Sequence, residues 1–86
     1  MFTSSGADRL LKGHKITTVE SVGSSLQCMR DCRNAVNGHC KSFNYGKLTR
    51  ECQLNNGTAQ QERDDMMVKV GYNHYDIAIT DMIILP

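Results

Sequence analysis

The sequence predicts an α+β domain in which a single α-helix packs on an antiparallel β-sheet, with two nested disulfides stapling helix to sheet. Three observations carry this expectation. A chain of 86 residues is one domain whose core is only marginally able to stabilise itself, so covalent reinforcement is expected. Its four cysteines follow the spacing C-x3-C-x7-C-x11-C. Only one segment combines helical periodicity with a cap, and the other ordered segments are short and rich in β-branched or aromatic residues.

Taken in order, residues 1–9 read as an N-terminal extension, residues 10–79 as the domain and residues 80–86 as a C-terminal tail. The opening stretch MFTSSGADRL lacks the apolar run of a secretory signal. A secreted protein would therefore be represented here by its mature form, or by an excerpt with an initiator Met added. HKITTV, residues 14–19, is β-branched and bounded by Gly13 and by Gly23-Ser24-Ser25, which predicts a first strand. SSLQCMRDCRNAVNG then opens with Ser24 as an N-cap and Gln27 three places on, the pattern of a capping box, and should stop at Asn37 and Gly38. Within it Cys28, Cys32, Ala35 and Val36 fall on one stripe, so both thiols point inward.

CKSFNY and ECQLN follow, joined by the glycine-containing connection GKLTR, and read as a β-hairpin. The polar stretch NNGTAQQERDD should be a surface loop. MMVKVGYNHYDIAI, with its glycine at 71, predicts one broken strand or a second hairpin, and TDMIILP is an apolar tail.

Two thiols at i and i+4 in a helix are poorly oriented to bond each other, so each should reach across to the sheet. Of the two crossing patterns the nested one is preferred. Cys32 lies near the helix end, a short turn from Cys40, leaving Cys28 for Cys52. Each bridge would contribute roughly 3 kcal/mol in the chain-entropy model. The rival, a zinc site of four cysteines or of three with His39, is disfavoured because structural zinc uses tighter knuckles on turns.

Composition excludes further classes. Ten Lys and Arg against nine Asp and Glu leave a formal +1 with no dense basic block, which argues against nucleic acid as a partner. The apolar stretches are too short to span a membrane, so no direct membrane insertion is expected. No nucleophile elbow, phosphate loop or metal motif is present, and His14, His39 and His74 read as ordinary surface or turn histidines. The expectation is a non-enzyme without a cofactor.

Ser25-Leu26 ahead of Cys28, then Cys32, Cys40, Ser42-Phe43-Asn44-Tyr45 and Cys52-Gln53-Leu54-Asn55, together with Gly13-His14 and Gly71-Tyr72…Tyr75, resemble the PAN/apple domain family over approximately residues 10–79. The resemblance implies an antiparallel sheet of five or more strands cradling one helix, with two nested core disulfides. It also implies an extracellular recognition or adhesion module for protein or carbohydrate. Many apple domains carry a further disulfide that ties their termini. No cysteine is available for it here, which matches the four-cysteine branch that includes growth-factor N-domains. The heparin-binding basic residues of those N-domains do not carry over, since Thr17–Ser25 holds Glu20 as its only charge.

Strand alternation puts Cys40, Ser42 and Asn44 on one face and Lys41, Phe43 and Tyr45 on the other. If Cys40 faces the helix, the aromatics face away from it. There they are either core beneath the terminal strands or an open stacking surface for a sugar or an apolar patch. Lys41, Phe43, Tyr45, Lys47 and Arg50 are accordingly the candidate ligand-binding residues, with the basic three suited to an acidic glycan or protein. Asn56-Gly57-Thr58 matches the N-glycosylation acceptor pattern. The functional expectation is an extracellular module binding a protein or polysaccharide. The alternative is a self-associating domain, a homo-oligomer formed through a strand edge or through Ile83-Ile84-Leu85.

Overall fold

The computed structural model describes residues 2–35 and 39–77. Among them lie strands β1 (Phe2–Leu11), β2 (Lys15–Val19), β3 (Ser42–Gly46), β4 (Glu51–Asn55) and β5 (Met66–Ile77), and the helix α1 (Ser25–Arg33). The strands form one sheet in the order β1-β5-β3-β4-β2, every neighbouring pair antiparallel. The α+β class, with one helix packed on an antiparallel sheet, is as the sequence predicts.

The helix starts where its cap residue allows. Ser24 is extended, and its Oγ accepts the N–H of Gln27 at 3.2 Å. Arg30 and Arg33 sit in the last turn, where cations suit the helix dipole. The helix ends at Arg33, earlier than expected. Cys32 is bridged to Cys40, with Cα atoms 5.2 Å apart, so the chain must turn back at once. Asn34 caps the end by donating to the Arg30 carbonyl, and the N–H of Ala35 reaches Cys32 O in a tighter turn. Val36 and the expected stop at Asn37-Gly38 lie outside the described residues, as does the tail 80–86.

Both disulfides are nested as expected, Cys28 to Cys52 and Cys32 to Cys40, and all four sulfurs are fully buried. They anchor the helix over a cluster that includes Val22, Phe43, Tyr45, Leu54 and Ile77. Register explains the grouping. Phe43 lies opposite Leu54 on β4 and Tyr75 on β5, and Tyr45 lies opposite Cys52. Residues paired across strands share a face.

Two strands depart from the sequence reading. Residues 2–9, expected as an extension, form most of β1, which runs beside β5 from Phe2↔Ile77 to Leu11↔Met66. FTSSGADRLL has little β-branched content to signal a strand, and its partner lies more than fifty residues away in sequence. β5 is one continuous strand of 12 residues rather than a hairpin. Its bend falls at Gly71, φ +92°, opposite a bulge in β1 where Asp8 has φ +58°. The Asp8 carboxylate accepts the N–H of Gly71 at 3.0 Å, so the two left-handed residues bend together and pairing continues on either side.

Candidate binding surface

The sheet's two faces are built differently. Away from the helix, Ser42, Asn44, Asn55 and His74 are fully buried despite their polarity. Asn44 is held by the backbone of Leu11, whose N–H donates to Oδ1 at 2.9 Å and whose carbonyl accepts from Nδ2 at 3.0 Å. That pair fixes the amide's orientation, so Nδ1 of His74, 2.6 Å from Asn44 Oδ1, is a donor. Nε2 of His74 faces Oδ1 of Asp76 at 2.7 Å. The Asp76 carboxylate also accepts the N–H groups of Ala59 and Gln60, which ties the β4–β5 loop down over this face. Burial alone would raise the Asp76 carboxyl, but the His74 hydrogen bond, the two backbone N–H groups and the attraction of His74 outweigh it and hold the group below the ordinary aspartate value. His74 is therefore not the surface histidine expected. It is an interior member of a hydrogen-bonded polar layer in which, among the described residues, Asn55 Oδ1 is left without a partner.

The five candidate ligand-binding residues separate. Phe43 and Tyr45 are buried on the helix side. Phe43 stacks on Tyr75 with ring centroids 4.9 Å apart, and the Tyr45 hydroxyl donates to Val22 O at 2.6 Å. Cys40 lies outside the strand, contrary to its expected place in the alternation. β3 begins at Ser42, and Cys40 enters the same core as the aromatics from the segment ahead of it. Neither aromatic offers a surface to a partner. Lys41, Lys47 and Arg50 are exposed, but the steps from Lys41 to Lys47 along β3, at ~3.3 Å each, put them roughly 20 Å apart.

Lys47 and Arg50 share the β3–β4 turn, and this turn is tightly braced. Arg50 N–H donates to Gly46 O at 2.6 Å, Lys47 N–H to Gly71 O at 3.0 Å, and Val22 N–H to Arg50 O at 2.9 Å. Tyr72 lies flat over Gly46, where a β-carbon would come within 2.7 Å of its ring. Its hydroxyl donates to Glu51 Oε1 at 2.6 Å, and burial together with that acceptor pushes the phenol above its ordinary value. At the tip Leu48 is 81% exposed and leans towards Gly71, beside Val70 at 76% and Val68 at 69%. Val68 and Val70 alternate onto one side of β5, in the part that runs past the end of β3.

Sequence reasoning passed over Leu48, Val68 and Val70. The available signal was an isolated leucine in the otherwise polar turn KLTR, where no turn geometry calls for an apolar side chain.

All four cysteines are consumed in disulfides, which removes them as metal ligands, and His39 is exposed. Among the described residues, His14, Glu62 and Asp65 form a group that could hold a metal ion. Asn56 is exposed at the end of β4, its N–H donating to His14 O. Among the described residues no helix is long and apolar enough to cross a membrane.

The family model of the PAN domain matches residues 4–78, a span that takes in most of β1 as well as the disulfide-bonded centre. The chain belongs to the PAN domain family. No curated protein matches it.

Proposed function

We propose that this PAN domain is an extracellular, non-enzymatic recognition module that engages a protein or polysaccharide partner through the β3–β4 turn and the adjoining strip of β5. PAN domains are modules of protein and carbohydrate binding in extracellular proteins. The supporting observation is the exposure of Leu48, on a braced turn that also carries Lys47 and Arg50, and of Val70 on the adjoining strip of β5. A rigid apolar tip with flanking cations loses little conformational freedom on docking, and burying one leucine contributes on the order of 2 kcal/mol. The cations favour an acidic partner.

The test is binding of the oxidised domain to arrays of sulfated, sialylated and neutral glycans and to a panel of protein ectodomains. Lys47→Glu with Arg50→Glu, and separately Leu48→Asp, should each weaken the strongest interaction at least tenfold while leaving the melting temperature unchanged. Binding that survives both variants would place the site elsewhere.

Against self-association through strand edges, β1 and β2 are the edge strands among the described residues and each carries a register shift, a device that blunts edge-to-edge pairing. Sedimentation showing concentration-dependent mass that vanishes when residues 81–86 are removed would favour the tail instead. We also propose Asn56 as a glycan site. β4 separates it from Arg50, so a glycan there leaves the turn open.

A further inference from the structure

The turn between β1 and β2 and the loop between β4 and β5 meet at a second group of side chains that the recognition surface does not use. Nε2 of His14 lies 2.7 Å from Oδ2 of Asp65 and 4.0 Å from Oε1 of Glu62, and one ligand atom from each of the three lies within 4.8 Å of the others. We propose that His14, Glu62 and Asp65 form a zinc-binding site.

The donor set points to the metal. One imidazole nitrogen with two carboxylate oxygens is a borderline set that suits zinc, whereas calcium and magnesium take oxygen ligands alone. Bonds of about 2.0–2.2 Å to a tetrahedral ion place its ligands about 3.3 Å apart. The two distances from His14 fall on either side of that value, so the ion needs Asp65 to open slightly and Glu62 to close. Both carboxylates are partly exposed and have room to move. A dication would also balance the two carboxylates, where a hydrogen bond from His14 to Asp65 engages only one.

Packing supports the same grouping independently of the carboxylate oxygens. A β-carbon at Gly57 would come within 3.2 Å of Cγ and Nδ1 of His14 and 3.3 Å of Cγ of Glu62. The glycine is therefore the common wall on which the imidazole and the Glu62 stem both lean. The supporting backbone is tied as well. Asn56 N–H donates to His14 O, Lys12 N–H to Asp65 O and Glu62 N–H to Thr58 O. Three protein ligands leave one coordination position for water or for a side chain of a partner.

The experiment is calorimetric titration of the oxidised full chain with zinc chloride, with calcium and magnesium chloride for comparison, alongside thermal melts with and without chelator. One equivalent of zinc should bind and raise the melting temperature, and chelator should reverse the rise. Glu62→Gln leaves the His14–Asp65 hydrogen bond intact, because Glu62 stands beyond hydrogen-bond distance, so it tests the third ligand without disturbing the fold. It and His14→Ala should each weaken zinc binding at least tenfold, while His39→Ala leaves it unchanged. Absence of saturable zinc binding, or binding unaltered by both His14→Ala and Glu62→Gln, would overturn the site. Equal loss in His39→Ala would do the same, by showing adventitious surface binding.

Discussion

At β3, the centre of the sheet, both faces are buried, yet they are held by opposite means. The helix face is apolar and covalently stapled, with Phe43, Leu54 and Ile77 gathered round two disulfides. Among the described residues the far face meets Leu11 at the end of β1 and the loop after β4, and Ser42, Asn44, His74 and Asp76 hold it through hydrogen bonds that they donate or accept. In a domain of 86 residues there is too little apolar side chain to build two dry layers. The far layer instead uses polar groups that largely satisfy one another, which limits the cost of unpaired burial to Asn55 Oδ1 among the described residues.

The largest losses of stability are expected on the helix side. Phe43→Ala should lose about 4 kcal/mol in denaturant unfolding, because it removes a fully buried ring that stacks on Tyr75. Replacing Cys28 and Cys52 together by serine should cost about 3.5 kcal/mol, since the bridge closes the longer loop, with a sequence separation of 24. A loss much smaller than that of Phe43→Ala plus one bridge, measured in the combined variant, would show that the two act as one unit.

On the polar side Asn44→Ala should cost about 2 kcal/mol, because it strands the Leu11 N–H and carbonyl and leaves His74 Nδ1 without its acceptor. Hydrogen exchange should then show the end of β1 opening before the helix face does. The smallest effect is that of acid. The Asp76 carboxyl titrates below its unfolded value, so its stabilisation is full above the unfolded aspartate pKa and is lost as pH falls through the lower folded value. Asp76→Asn should flatten that part of the stability profile, and an unchanged acid limb would show that the loop is held by other contacts.

How much was legible follows from the range of each interaction. The helix cap at Ser24, the β3–β4 hairpin and the cysteine pairing could be read because they depend on neighbours in sequence or on spacing along one helix turn. Of the binding surface, Lys47 and Arg50 were visible as turn cations, while Leu48 and the valines of β5 were not. Whether an apolar side chain is exposed depends on where the adjacent strand stops. Here β3 ends at Gly46, opposite Tyr72, and leaves Val68 and Val70 beyond its reach.

The class of this protein, its disulfide framework and the start of its helix follow from local features of the chain. That residues 2–9 belong to the sheet, that Phe43 and Tyr45 turn towards the helix, and that His74 is an interior residue follow from long-range pairing instead. β1 gains its hydrogen bonds from β5 at the other end of the chain, and the facing of β3 is set by where it starts to pair with β4 and β5. A shift of one residue in that start exchanges the two faces, and no local preference of SFNYG distinguishes them.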